Sequence, residues 1–246
     1  MELLTIKLRN TSWAWDGGPD TKSHWIRNRK KLGATWTHFN DGDKDFYKFN
    51  DLGFRTLNSN EIDWKESVVI LGCSYAAGIG LAYKDTISSK LEKIIRRPVI
   101  NLGQSGSAVD INFFNSYILH NYYPQPKAIV HLWTSLNRYT DFNFNEETHT
   151  RFIPTDESSV LHKNLSYCAN HNWGDRSKMY IDIDRALWNK KIPRFEGSFF
   201  CGDYEYDKNV VKLDIIDRAR DLMHPGKQTA IAVAKNIAKN LKEQGL

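Results

Sequence analysis

The hydrophobic and polar positions fall into two regimes that meet near Ser67. Beyond it, Val68-Val69-Ile70-Leu71 is an unbroken apolar run stopped by Gly72, the pattern of a strand covered on both faces. Residues 85–96 switch to a helical period, with Ile87, Leu91, Ile94 and Ile95 on one face and Lys90, Lys93 and Arg97 off it. Asp85 or Thr86 suits the N-cap, and Pro98 stops the helix. Val99–Gly103 predicts a second short strand, residues 108–122 a second helix, and Ala128–Trp133 a third strand. Strand, helix, strand, helix, strand with short links predicts an α/β fold with parallel pairing and right-handed crossovers. Residues 226–243 close the pattern with an amphipathic helix carrying Ile231, Val233, Ala234, Ile237, Ala238 and Leu241. The stretch from about 141 to 210 reads as an inserted region of polar loops, with helices expected near 157–170 and 182–189.

Residues 1–66 follow neither period. They hold five tryptophans (Trp13, Trp15, Trp25, Trp36 and Trp64), and turn signals recur at Asp16-Gly17-Gly18-Pro19, Asn40-Asp41-Gly42 and Asp51-Leu52-Gly53. This predicts an N-terminal extension of short strands and loops, anchored by its Trp side chains on an α/β domain of residues 67–246.

Composition narrows the function classes. Hydrophobic residues at 41% and aromatics at 13% suffice for a core and exclude disorder as the main state. No apolar run approaches the ~18 residues that span a bilayer. The formal charge is +5, but residues 1–40 hold seven Lys/Arg against three Asp/Glu, and the remainder holds 27 against 26. The excess is a patch in the arm rather than a basic face on the main body, so a nucleic-acid partner is not expected. The Trp25–Lys31 cluster fits either a contact with phosphate or an acidic glycan, or a plain solvated face. Cys73, Cys168 and Cys201 are odd in number and widely spaced, which argues against zinc and for a reducing compartment. The first residues lack a long apolar signal region, so the cytoplasm is the expected location; virion association or release by lysis would leave no signal either.

Ligands of open parallel sheets bind beyond the carboxyl ends of the strands. Those positions hold Gly72-Cys73-Ser74, then Asn101-Leu102-Gly103, then Ser135-Leu136-Asn137-Arg138, and finally Asp221-Leu222-Met223-His224-Pro225 ahead of the last helix. In order and rough spacing this set resembles the four blocks of the SGNH (GDSL) hydrolase superfamily. The resemblance covers about residues 66–140 and 215–243. Asn50-Asp51-Leu52-Gly53-Phe54-Arg55 is similar to a segment that precedes the first block in SGNH-like proteins of phage and bacteria. Cys73 stands where the family has Asp, and Ser135 and Arg138 where it has Gly and Asp. The resemblance implies a three-layer α/β/α flavodoxin-like parallel sheet and a serine esterase without metal or cofactor. It further implies Ser74 as nucleophile, His224 as base, Asp221 as its partner, and an oxyanion hole of Ser74 N–H, Gly103 N–H and the Asn137 amide.

The chemistry requires those residue types. A serine hydroxyl attacks only when a base takes its proton, and an imidazole titrates near neutrality. A carboxylate fixes its tautomer and stabilises the imidazolium. Several readings stand beside this one. Cys73 is a rival nucleophile or a core residue. Asp217 is a rival partner for His224. His131 reads as a hydrogen-bonded core residue. Tyr122, Tyr123, Trp133, Tyr139 and Trp173 are core or a sugar platform. The expected activity is hydrolysis of a small acyl ester, an O-acetyl group on a carbohydrate first. The alternatives are an O-acyltransferase with the same triad, or a non-catalytic module with the same fold.

Overall fold

In the computed structural model, the structure describes residues 1–5, 7, 9–32, 46–143, 148–152, 173–188, 192–205 and 207–246. The N-terminal part holds two two-residue strands, β1 (Ser12–Trp13) and β2 (Tyr47–Lys48), paired antiparallel. Between them in sequence lies helix α1 (Lys22–Leu32), which the reading of this stretch as strands and loops did not anticipate. Its bases sit on exposed positions, and Trp25 alone is buried.

The five-stranded parallel sheet follows. Its strands are β3 (Val68–Gly72), β4 (Val99–Asn101), β5 (Ala128–Trp133), β8 (Arg194–Ser198) and β9 (Val211–Lys212). They lie in the order β4-β3-β5-β8-β9, every neighbouring pair parallel. Numbered along the chain, that is 2-1-3-4-5, the doubly wound order in which the first two links diverge to opposite sides of β3. A hairpin of β6 (Tyr139–Asn143) and β7 (Thr148–Phe152) follows β5.

Alternation along the strands sorts the core into two layers. Val68, Ile70, Val130 and Leu132 face helices α3 (Ile87–Ile95) and α6 (Lys227–Glu243), whose Leu91, Val233, Ile237 and Leu241 cover them. Val69, Leu71, Ile100 and Ile129 face α4 (Val109–Tyr122), together with Leu3, Phe54 and Trp64 of the N-terminal part. Helix α5 (Trp173–Leu187) packs on α4 on that same side. The result is a mixed α/β fold of three layers, the arrangement the SGNH resemblance implies. Thr86 is the N-cap of α3, accepting from Ser89 N–H at 3.3 Å, and Arg96 ends it in the left-handed region at φ +56°. Ile94, expected on the buried face, lies exposed in the last turn. The helix expected at 157–170 falls outside the described residues. The one expected at 182–189 is the last part of α5.

Candidate active site

The registers bring three strand ends level. Gly72 of β3 pairs with Leu132 of β5, and Trp133 pairs with Ser198 of β8. Cys73-Ser74, Thr134–Arg138 and Phe199-Phe200 therefore leave the sheet along one edge. Gly72 permits the first turn, since a Cβ there would lie 2.8 Å from Leu132 O and 2.7 Å from Ala76 Cβ. Ser74 opens the four-residue helix α2 (Ser74–Ala77) after an extended Cys73. As the first helical residue, its N–H has no acceptor within the helix. The Ser74 turn is one half of the candidate site, with the residue 6% exposed, while Cys73 is buried at 2%.

Helix α2 is gripped from behind. Gly78 ends it at φ +72°, and Arg55, fully buried, donates to Gly78 O at 2.9 Å, Leu81 O at 2.8 Å and Phe46 O at 2.9 Å. Burial lowers the pKa of this guanidinium, which is held by carbonyl dipoles. Arg55 lies in the 50–55 segment singled out from the sequence. Asn101 at the end of β4 donates to Ala76 O at 3.0 Å and so ties a second strand to the same helix.

The Asp221–His224 turn supplies the other half. Asp221 Oδ1 accepts from the N–H groups of Met223 and His224, each at 3.0 Å, and Oδ2 bonds His224 Nδ1. Leu222 between them adopts φ +62°, a left-handed conformation costing roughly 1–2 kcal/mol. Burial pushes the Asp221 pKa up, but the bonds from the His224 ring and from the two backbone N–H groups outweigh it. The carboxyl is held below its ordinary value. An ionised Asp221 fixes the proton on Nδ1 and leaves Nε2 as the free base. Asp217, the rival partner, is occupied elsewhere. It accepts from Gln228 N–H at 3.0 Å and Thr229 N–H at 2.8 Å at the start of α6.

Tyr75 joins the two halves. It follows Ser74 in the chain, and its ring meets the His224 ring edge-on with centroids 5.4 Å apart. It also stacks on Phe200 at 5.5 Å and meets Phe199 at 5.1 Å. Burial raises the Tyr75 phenol pKa, so it stays a neutral donor. Among the described residues, Ser74 Oγ makes no hydrogen bond to His224. Contacts of this kind often tighten only with substrate bound.

Two expected oxyanion donors fare differently. Gly103 N–H donates to Asn101 Oδ1 at 3.0 Å, so in this structure it is not available to an oxyanion. Its glycine identity has another cause: a Cβ would lie 2.5 Å from Ala77 N. Gly106, three residues on, sits at φ +63° in a turn closed by Ser107 N–H to Gln104 O, and Ser107 Oγ anchors that turn to Gly72 O at 2.9 Å. Among the described residues, Gly106 N–H makes no hydrogen bond. Asn137 is exposed in a turn beyond β5, and no described hydrogen bond ties its amide to Ser74 or His224.

Of the aromatic residues read as core or sugar platform, Trp133 and Tyr123 pack in the core. Trp133 is fully buried and donates to Glu196 Oε2 at 2.9 Å; Tyr123 packs on Trp64. The side chains of Tyr139 and Trp173 lie outside the described residues. The ring against His224 is Tyr75, with Phe199 and Phe200 packed on Tyr75 in turn, and nothing in their sequence spacing shows that two strands end together. Among the described residues, no three His, Cys, Asp or Glu side chains are placed to hold a metal ion, and no helix is long and apolar enough to cross a membrane.

No family model matches this chain, and no curated protein does. Among solved structures it is similar to an acetyl xylan esterase from the rumen bacterium Butyrivibrio proteoclasticus, at 12% identity and a TM-score of 0.45, over 74% of this chain and 64% of that one. A G-D-S-L family lipolytic protein from Desulfitobacterium hafniense matches at 12% identity and 0.45, over 72% of this chain and all of the other. An SGNH hydrolase from Slackia heliotrinireducens matches at 10% and 0.41, over 72% and 98%. At such values these likenesses assign the chain no activity.

Proposed function

We propose that the chain is a serine hydrolase of SGNH type that cleaves small acyl esters, with an O-acetyl group on a carbohydrate as the favoured substrate. The observation that carries this reading is the Asp221–His224 contact, set by Tyr75 beside a serine that opens a helix at the carboxyl edge of a parallel sheet. In the proposed reaction Ser74 Oγ attacks the ester carbonyl while His224 Nε2 takes the hydroxyl proton. Asp221 stabilises the imidazolium, which then protonates the departing alcohol. Water, activated by the same nitrogen, releases the acid from Ser74. The developing oxyanion is met by Ser74 N–H, which has no acceptor within its helix, with Gly106 N–H and the Asn137 amide as the candidates for a second and third donor. Tyr75, Phe199 and Phe200 supply an apolar wall suited to an acetyl methyl or a sugar face.

The test is acetate release from acetylated xylan and cleavage of p-nitrophenyl acetate. Wild type turns both over, and Ser74→Ala turns over neither. A second reading, a non-catalytic module with this fold, draws on one specific observation: the missing Ser74–His224 hydrogen bond. Equal, background-level rates for wild type and Ser74→Ala favour it.

A further inference from the structure

The N-terminal segment shares no block with the candidate site, yet it is bonded to both halves of it. Asp20 and Arg220, 200 positions apart in sequence, form an ion pair in which each residue is 1% exposed. Arg220 Nε donates to Asp20 Oδ1 and Nη2 to Oδ2, both at 2.7 Å. Nη2 also donates to Ala14 O at 2.7 Å. The guanidinium is covered by the Phe46 ring at 3.8 Å and the Trp15 ring at 4.1 Å. Tyr47, fully buried on β2, donates its hydroxyl to Asp20 Oδ2 at 2.5 Å and accepts from Gly80 N–H at 2.7 Å. Arg220 N–H completes a ring by donating to Gly80 O at 3.4 Å.

Both ends of this ring adjoin the chemistry. Gly80 lies three residues beyond α2, and Arg220 immediately precedes Asp221. The Gly80 backbone stands so close that a Cβ on it would lie 2.7 Å from Ala219 Cβ and 3.4 Å from the Asp221 carboxylate. A buried ion pair is a weak source of stability, because desolvating both ions offsets most of their attraction. Its bidentate bonds do impose one geometry on the groups they join.

We infer that the Asp20–Arg220–Tyr47–Gly80 ring is a positioning device contributed by the N-terminal extension, which fixes the Asp221–His224 turn against the Ser74 turn. Asp20, Tyr47 and Arg220 are positioning residues; they touch no substrate. The inference rests on the hydrolase reading for its kinetic consequence but has a readout of its own.

The experiment compares full-length wild type with Tyr47→Phe, Asp20→Asn and Lys7→Met. Tyr47→Phe deletes only the hydroxyl and cuts the ring at Gly80 N–H. Lys7→Met breaks another mostly buried ion pair of the same segment, Lys7–Asp16 at 2.7 Å, and leaves in place every donor and acceptor of the ring, including the Asp16 backbone N–H that donates to Asp20 Oδ2 at 3.2 Å. Two quantities are read: kcat and KM for p-nitrophenyl acetate, and the downfield proton resonance of the His224 ring N–H bonded to Asp221. Misplacing reacting groups by an ångström costs up to about 10²-fold, so Asp20→Asn loses kcat by up to about 10²-fold and Tyr47→Phe by about tenfold, with KM nearly constant. The resonance shifts or exchanges faster in both and is unchanged in Lys7→Met. Should Asp20→Asn fail to fold, Tyr47→Phe decides. A Tyr47→Phe protein with wild-type kcat and an unaltered resonance overturns the inference. A wild type that hydrolyses nothing overturns the hydrolase reading instead, and the resonance still judges the ring.

Discussion

Among the described residues an aspartate meets a histidine in two places, and the two contacts behave in opposite ways. Asp221 and His224 are three residues apart in a turn at the sheet's carboxyl edge. Asp184 of α5 and His131 of β5 meet across the core at 3.3 Å, both fully buried. Asp221 collects two backbone N–H bonds besides the imidazole, and its pKa falls. Among the described residues, Asp184 collects no backbone donor. Burial pushes its carboxyl up to about 6 despite Arg194 at 2.6 Å. Burial, with Arg194 and Arg185 nearby, pushes His131 well below its ordinary value. A pair of residue types therefore does not define a catalytic dyad. The role proposed for Asp221 and His224 requires more: local donors that keep the carboxylate ionised, and a place at the sheet edge for the ring.

Removing each histidine in turn gives the largest expected difference. His224→Ala is expected to lower kcat on p-nitrophenyl acetate by about 10⁶-fold, as for other serine–histidine sites, while His131→Leu leaves kcat per folded molecule unchanged. Next is Asp221→Asn, which keeps the geometry but frees the wrong tautomer, for a loss of about 10⁴-fold in kcat. Asp184→Ala does the reverse. It strips one of two carboxylate partners from part-buried Arg194, which keeps Glu196 at 3.0 Å, and costs about 1–3 kcal/mol in urea denaturation, with kcat retained.

The smallest effect sharpens the contrast through pH. Between about pH 4 and 6, folded Asp184 holds a proton that the unfolded chain has released, so its contribution makes stability fall as pH rises. Neutral His131 acts oppositely: below its ordinary pKa of 6.5 the unfolded chain takes up a proton that the folded state refuses, so stability falls as pH drops. The two slopes offset each other in wild type. His131→Leu exposes the first, a fall of about 1–3 kcal/mol from pH 4 to 6, and Asp184→Asn exposes the second. Parallel stability curves for all three proteins contradict this pairing. Asp221, with its lowered pKa, adds stability that persists at neutral pH and is lost only as pH falls through its folded-state value.

The parts legible in the sequence are those whose pattern is local. β3, β5 and α6 were bounded to within a residue, because runs such as Val68–Leu71 are buried on both faces and α6 has one clean apolar stripe. Helix α1 carries no such pattern, because its one buried anchor, Trp25, gives no period. β8 was hidden by Arg194 and Glu196, polar residues engaged with Asp184, Arg185 and Trp133 rather than with solvent. At the candidate site, the Asp221–His224 spacing was readable because three residues suffice to close that turn. The use of Gly103 N–H by Asn101 was not, since a glycine after a strand looks the same whether it donates to a ligand or to a neighbour. The Asp20–Arg220 pair was out of reach for a simpler reason: nothing local links residues so far apart.

The most direct measurement is reaction of the folded protein with a fluorophosphonate, followed by peptide mapping. The expected result is one adduct, on the Ser74 hydroxyl, absent from Ser74→Ala and strongly slowed in His224→Ala. Absence of any adduct in wild type, or an adduct at another residue that persists in Ser74→Ala, would contradict Ser74 as the nucleophile.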